Sequence, residues 1–149
     1  VYIPAYPDQE LDVSKGSEEF FNGKGQRILV VDDEPMICNL VCDILEQHHY
    51  RTQGVSSSME AVKLFESAPD DFDAMITDMM MPNIDGEELI KIVREKKPEL
   101  PVLVMTGYVH HEKLDSIKMA NVNLILSKPI SMEGLMQKVN SLFAPPDED

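Results

Sequence analysis

Polar side chains that could carry out chemistry follow four separate apolar runs of the chain. Asp32 and Asp33 follow one run, Asp78 a second, Thr106 a third and Lys128 a fourth. Three neighbouring carboxylates repel one another by roughly 1–4 kcal/mol per pair at ~4 Å. They persist together when a divalent cation lies among them or when a pKa rises. Carboxylate oxygens without His or Cys ligands favour Mg²⁺. A lysine and a hydroxyl can bind an anionic substrate group. Together with the carboxylates, they indicate phosphoryl transfer to a carboxylate nucleophile.

The segments that must position these residues alternate between strand and helix patterns. Continuous apolar runs predict buried parallel strands, and helical spacing with capping residues predicts the helices between them. The predicted strands are 28–31, 50–55, 72–77, 101–105 and 122–126, and the predicted helices start at Pro35, start after Ser57 or Ser58, span 87–96 and 110–119, and start after Ser131. This alternation predicts an α/β fold with a doubly wound parallel sheet and five helices. The polar residues would then meet at the carboxyl edge of the sheet.

A simpler interpretation is that acids at strand ends cap the next helix. Asp33 could cap a helix that begins at Glu34 or Pro35. For any one acid this interpretation is reasonable. The complete set, with Lys128 included, favours a chemical site.

Composition limits the class of protein. The chain has 149 residues, enough for one domain, and no apolar run is long enough to cross a bilayer. We expect a soluble, cytoplasmic domain without direct membrane contact. The formal charge of −14 disfavours nucleic-acid binding. Cys38 and Cys42, two thiols alone, predict neither a disulfide framework nor a metal site.

The ends of the chain differ in composition from its middle. Residues 1–25 are rich in proline, glycine and acidic residues, so we expect an extension and linker. Residues 26–143 form the predicted domain, and 144–149 an acidic tail. The first residue is Val1 and not Met, which suggests a piece of a longer polypeptide, although removal of a tag could also explain it.

Four motifs, in order, resemble the response-regulator receiver (CheY-like) family. They are Ile28–Glu34, Asp78–Gly86, Met105–Gly107 and Ser127–Pro129, and the resemblance covers residues 26–143. It implies a flavodoxin-like five-stranded sheet of order 2-1-3-4-5 with five helices. It also implies a phosphoprotein that acts as a signalling switch in a two-component system or phosphorelay.

The resemblance assigns the acceptor and the metal ligands. Asp78 would accept the phosphoryl group from a phosphohistidine. Asp33 would bind Mg²⁺ directly, Asp32 would assist through water, and the backbone carbonyl of Met80 would complete the ligands from the protein. The implied activity is Mg²⁺-dependent self-phosphorylation and dephosphorylation, without enzymatic turnover.

It also implies the residues that respond to phosphorylation. Lys128 would pair with the phosphoryl oxygens, and Thr106 would move towards them. The Lys128–Pro129 peptide bond would be cis. Pro82 and Gly86 would shape the loop after Asp78.

Three positions near the site could tune the switch. The position three before the lysine is often aromatic in this family and is Ile125 in this chain. The direction and size of the output change are therefore open. Tyr108 and Met80 occupy positions that resemble tuners of phosphate lifetime in the family, although Tyr108 could simply cover its loop.

The expected partners are a histidine kinase or phosphotransfer protein, and an output protein or another domain of a parent chain. Val1–Ala5 resembles the last strand of the ATP-binding domain of histidine kinases, which suggests a receiver from a hybrid sensor kinase that could be membrane-anchored. The alternative there is a stand-alone regulator with an N-terminal extension.

Two other functions remain as alternatives. One is a Mg²⁺-dependent phosphatase or phosphotransferase with an aspartyl nucleophile, although Met80 stands where such enzymes usually carry a second acid. The other is an interaction module that does not depend on phosphorylation.

Overall fold

Five strands alternate with helices in the computed structural model, which describes residues 23–107 and 123–143. The strands are β1 Arg27–Val31, β2 Arg51–Val55, β3 Ala74–Asp78, β4 Val102–Thr106 and β5 Leu124–Ser127. The four helices within those two ranges are α1 Pro35–Gln47, α2 Ser58–Ser67, α3 Gly86–Lys96 and α4 Met132–Leu142, and a 3₁₀ turn covers Pro69–Asp71. The predicted helix 110–119, most of the predicted linker and the acidic tail lie outside the described residues.

The strands form one parallel sheet in the order β2-β1-β3-β4-β5. This confirms the predicted sheet and its strand order. β3 lies at the centre and pairs with β1 on one side and β4 on the other. All five of its residues are buried, as expected for a strand covered on both faces.

The helices pack on both faces of the sheet, which is the doubly wound arrangement. Alternate strand residues face opposite sides, so the sheet contributes to two apolar cores. One core holds the buried residues of α1 and α4, and the other holds those of α2 and α3. The sheet therefore holds the carboxyl ends of its strands at one fixed edge.

Local side-chain caps explain where three of the helices begin. Ser57 accepts a hydrogen bond from the backbone N–H of Glu60 at 3.4 Å, and Ser131 accepts one from that of Gly134 at 3.0 Å. Asp85 accepts one from Glu88 N–H at 2.9 Å. Each cap satisfies a donor that the first helical turn leaves free.

The interpretation of Asp33 as a helix cap is wrong. The residue at the N-cap of α1 is Glu34, which makes no capping hydrogen bond with its side chain, and Pro35 occupies the first helical positions. Proline starts a helix well because its missing N–H would have no partner there. The Asp33 carboxylate is thus available for other contacts.

The two cysteines are free thiols on the inner side of α1. Cys38 is buried and Cys42 is half-buried. A Cβ on Gly54 of β2 would lie 3.0 Å from the Cys38 sulfur and 2.9 Å from the Cys42 sulfur. Glycine at this position therefore lets α1 pack closely against the edge strand.

Candidate functional site

The carboxyl edge of the sheet brings together the polar residues that the sequence separates. β1 leads directly into Asp32 and Asp33, and β3 ends with Asp78 itself. In the β3–β4 register Asp78 lies opposite Met105, so Thr106 lies one step further along the neighbouring strand. Thr106 in turn lies opposite Ser127, next to Lys128. Three strands, β3, β4 and β5, end one residue beyond their predicted ends, because Asp78, Thr106 and Ser127 still pair across the sheet.

Three carboxylates converge at this edge. Asp32, Asp33 and Asp78 each offer an oxygen, and these oxygens lie within 4.8 Å of one another. Asp32 is fully buried, Asp78 is 6% exposed, and Asp33 is the most exposed of the three. Carboxylates this close repel one another, and a nearby cation or a raised pKa relieves that repulsion.

Lys128 supplies one such cation. Its Nζ atom lies 3.0 Å from Asp32 Oδ2 and 3.4 Å from Asp78 Oδ1. A third carboxylate, that of Glu34, approaches the same amine at 3.4 Å. The Lys128 side chain is only 16% exposed, so these charges interact with less screening than they would on an open surface.

The surroundings shift the pKa values of Asp78 and Lys128. Burial, followed by the charge of Asp32, raises the pKa of Asp78 from 3.8 to about 6, and Lys128 opposes this rise only in part. Burial lowers the pKa of Lys128, but its contacts with Asp32 and Asp78 outweigh burial and raise that pKa overall. The site therefore carries more negative charge than one lysine can neutralise.

The donor set fits a hard divalent cation. Mg²⁺ prefers oxygen ligands and octahedral geometry, in which ligand oxygens are about 3 to 4 Å apart. The three carboxylates approach that spacing. Asp32 Oδ1 accepts the backbone N–H of Glu34 at 2.9 Å, and its buried Oδ2 lies 3.0 Å from Lys128 Nζ. A carboxylate oxygen has two lone pairs, so Oδ2 can contact the lysine and still face a cation.

Backbone contacts hold Asp78 in place. Met79 N–H donates to the carbonyl of Met105 at 3.1 Å, and Gly86 N–H donates to the carbonyl of Met79 at 2.8 Å. The start of α3 approaches the end of β3 so closely that a Cβ on Gly86 would lie 2.5 Å from the carbonyl oxygen of Asp78. Only glycine allows this approach, so Gly86 lets the loop that follows β3 return to Asp78.

Thr106 and the segment around Lys128 are joined by the backbone. Thr106 is 2% exposed, and its carbonyl accepts the N–H of Lys128 at 2.9 Å. The Lys128–Pro129 peptide bond is cis, as predicted. Ile125, at the position where the family often has an aromatic residue, is half-buried and packs against the core that contains α2 and α3.

The residues of the loop after Asp78 differ in their exposure to solvent. Met79 is fully buried, whereas Met80 is 60% exposed at the rim of the site. Pro82 is exposed, and its carbonyl accepts the hydroxyl of Ser58 at 3.4 Å. This contact ties the loop to the start of α2. Tyr108 lies outside the described residues.

The contact between Glu34 and Lys128 was not predicted. The sequence places Glu34 in the Ile28–Glu34 motif and at the start of a helix, and neither position assigns it a partner. The position of Glu34 could have indicated this contact, because Glu34 follows Asp32 and Asp33 at the end of the same buried strand. A third acid there lies within reach of whatever cation the first two attract.

A family model provides the decisive comparison. The model described as "Response regulator receiver domain" matches residues 28–140, about three quarters of the chain. The chain belongs to the response regulator receiver family. The receiver domain thus carries its acids, threonine and lysine at the sheet edge where the sequence motifs placed them.

Curated relatives agree with this assignment. The receiver domain is 30% identical over 123 residues to chemotaxis protein CheY-3 of Vibrio cholerae, covering 80% of this chain and 93% of that protein. It is 29% identical over 134 residues to transcription factor SKN7 of Saccharomyces cerevisiae, covering 89% of this chain but 21% of that protein. It is 27% identical to response regulator SaeR of Staphylococcus aureus, covering 78% of this chain and 50% of that protein. The chain thus spans nearly all of one relative and half or less of the two others.

Solved structures share the fold. A structure of chemotaxis protein CheY4 of Vibrio cholerae aligns with a TM-score of 0.75 at 27% identity, covering 80% of this chain and 99% of that one. A receiver domain protein of Clostridium thermocellum aligns with a TM-score of 0.71 at 29% identity, covering 78% of this chain and 93% of that one. No helix in the part of the chain that the structure describes is long and apolar enough to cross a membrane.

Proposed function

We propose that the receiver domain accepts a phosphoryl group on the carboxylate of Asp78 from a phosphohistidine, and that this change alters its interactions with a partner. The observation that carries the proposal is the convergence of three carboxylates and the Lys128 amine at the end of the central strand. A carboxylate can act as the nucleophile, and cationic groups beside it can position and stabilise a phosphoryl group during transfer.

The transfer can be written with the groups of this chain. An Asp78 oxygen forms a bond to phosphorus as the bond between phosphorus and the donor imidazole nitrogen breaks, and the imidazole takes up a proton. Lys128 Nζ, already 3.4 Å from Asp78 Oδ1, is placed to pair with a phosphoryl oxygen. The Thr106 hydroxyl, at the end of the adjacent strand, could donate to another. The phosphorylated aspartate would carry about −1.5 to −2 charges, by analogy with other phosphorylated side chains.

We propose Mg²⁺ as the cofactor, held by Asp33 and Asp78 with Asp32 in support and the Met80 carbonyl as a further ligand. When bound, it would neutralise the charge that develops on the transferred group. The donor set supports this assignment, because the carboxylates can supply hard oxygens and the described residues place no histidine or thiol among them.

Phosphorylation by a small donor tests the proposal. The protein is incubated with acetyl phosphate and Mg²⁺, and intact mass is measured over time. We expect one phosphoryl group per chain, and none on Asp78→Asn. Asp70→Asn is the control, because Asp70 is an exposed acid in the 3₁₀ turn before β3 and should leave labelling unchanged. Labelling of Asp78→Asn at the wild-type level would place the acceptor elsewhere.

A switch and a turnover enzyme differ in what happens after labelling. We propose that the domain is a switch that phosphorylates and dephosphorylates itself slowly, without acting on other substrates. Incubation with small phosphate esters should therefore release phosphate no faster than the labelled domain loses its own phosphoryl group. Sustained release above that rate would favour an aspartyl-nucleophile phosphatase instead.

The chemistry of the proposed transfer indicates which classes of protein would be partners. A histidine kinase or phosphotransfer protein would supply the phosphoryl group, and an output protein or a domain of a parent chain would detect the change. We also propose that the receiver comes from a hybrid sensor kinase, on the resemblance of Val1–Ala5 to the last strand of a kinase ATP-binding domain. Sequencing the gene upstream of the Val1 codon tests this, and a histidine-kinase core there is the expected result.

A further inference from the structure

Lys128 has one carboxylate partner that the proposed metal site does not use. Asp32 and Asp78 belong to the acids that would hold Mg²⁺, whereas Glu34 does not. Its Oε1 nevertheless lies 3.4 Å from Lys128 Nζ, the same distance as Asp78 Oδ1. The amine is therefore shared between the acceptor and an acid outside the metal set.

The local structure explains why Glu34 can reach the lysine. Its backbone N–H donates to Asp32 Oδ1 at 2.9 Å, which fixes the main chain beside the site. It occupies the N-cap of α1, yet its side chain makes no capping hydrogen bond. The carboxylate is thus free to extend over the rim of the site, where it is 65% exposed.

Phosphorylation and metal binding change the balance around Lys128. Mg²⁺ would draw on the acid cluster that includes Asp32 and Asp78, whose carboxylates also contact the amine, and a phosphoryl group on Asp78 would present new anionic oxygens to the amine. Lys128 has three N–H donors and contacts three carboxylates. A bond to a phosphoryl oxygen would therefore take a donor from one of them, and the contact with Glu34 is the most exposed of the three.

We infer that Glu34 is a positioning residue that holds the Lys128 amine at the outer edge of the unphosphorylated site and competes with the phosphoryl group for it. This inference rests on the proposed function and names a control on that site. Glu34 thereby slows phosphoryl capture, because its contact must loosen before Lys128 can pair fully with the incoming group. Its negative charge also opposes the approach of an anionic donor.

The expected size of the effect follows from exposure. Ion pairs with one exposed partner typically contribute 0.2–1 kcal/mol, which corresponds to a factor of about 1.4 to 5. We therefore expect Glu34→Gln to be labelled by acetyl phosphate about two- to fivefold faster than the wild type. The acceleration should diminish with added salt, because the carboxylate is solvent-screened.

The control variant must remove one negative charge, as Glu34→Gln does, but far from Lys128. Glu95 is exposed near the end of α3, and α3 begins at the site and ends towards the opposite edge of the sheet. Glu95→Gln should be labelled at the wild-type rate. An equal acceleration by Glu95→Gln would show a general effect of net charge and overturn the inference.

A double-mutant cycle tests the contact independently of phosphorylation. Urea unfolding in metal-free buffer is compared for the wild type, Glu34→Gln, Lys128→Met and the double variant. We expect a coupling of about two- to fivefold in the folding equilibrium constant. Additive effects would overturn the inference, as would an unchanged or slower labelling rate for Glu34→Gln in a protein that is labelled.

The two proposals fail in different ways. If the wild type takes up no phosphoryl group, the proposed function is wrong, and the cycle alone then decides whether Glu34 holds Lys128. If the wild type is labelled but Glu34→Gln shows neither acceleration nor coupling, the proposed function stands and the role of Glu34 is wrong.

Discussion

Replacing Asp78 by asparagine is expected to stabilise the metal-free domain near neutral pH, although it removes the proposed acceptor. The Asp78 side chain is buried at the end of the central strand, and its ionised form is opposed by burial and by the charge of Asp32. Asparagine has nearly the same shape and carries no charge. The substitution therefore removes an unfavourable charge and leaves the packing of β3 in place.

The magnitude follows from the pKa. Asp78 titrates at about 6 in the folded domain and at 3.8 ordinarily, and each pKa unit corresponds to about 1.4 kcal/mol. At pH 7 the ionised carboxylate thus costs up to about 3 kcal/mol relative to a neutral group. Because relaxation and water reduce such costs, we expect Asp78→Asn to raise the free energy of unfolding by about 1–3 kcal/mol.

The sign of the pH dependence follows from proton binding. Between pH 3.8 and about 6 the folded wild type holds the Asp78 proton more tightly than the unfolded chain. Its stability is therefore highest below this window and is lost as the pH rises through it. The advantage of the asparagine variant should accordingly be largest at pH 7 and fall to less than about 1 kcal/mol near pH 4.

Urea unfolding with EDTA at pH 4, 5.5 and 7 measures this difference. Comparing the variant with the wild type at each pH cancels the other titrating groups. A variant that is no more stable than the wild type at pH 7, or that has the same advantage at every pH, would refute the reasoning. Mg²⁺ provides an internal check, since it should stabilise the wild type and so reduce the advantage of the variant.

Two further substitutions address the metal and the loop. Millimolar Mg²⁺ should raise the thermal unfolding midpoint of the wild type, because a ligand that binds only the folded state stabilises it; Asp33→Asn should lose most of this rise, and a full rise would exclude Asp33 as a ligand. Gly86→Ala should destabilise the domain by about 1–3 kcal/mol in urea, because the new Cβ would lie 2.5 Å from the Asp78 carbonyl oxygen. Gly107→Ala is its control, since a Cβ there would meet nothing closer than 3.9 Å, and an equal loss in both variants would show that the close approach is not the cause.

Much of the fold was predictable because its elements have strong local signals. The runs that became β1 and β4 are continuously apolar, which is characteristic of strands covered on both faces. Ser57 and Ser131 mark helix starts by their capping chemistry. The order of the strands was less accessible from local pattern alone and came from the family resemblance, which the sheet confirms.

The site was predictable in its members but not in all of its contacts. Parallel topology required Asp32, Asp78 and Lys128 to meet at one edge. The direction of each side chain depends on packing and could not be derived from spacing. Asp33 illustrates this, because spacing allowed it to cap α1 and the structure gives the N-cap to Glu34 instead. The contact between Glu34 and Lys128 was missed because an exposed glutamate carries no local pattern that separates it from an ordinary surface residue.

The central position of β3 in the sheet limits which segments can move after a chemical change at the carboxyl end of this strand. A strand paired along both sides cannot slide without breaking two ladders at once, so mechanical displacement after modification has to occur in the rim segments that follow the strands. Sequence changes at that rim can therefore diversify what the domain recognises, while the Asp78 carboxylate stays where the buried central strand holds it.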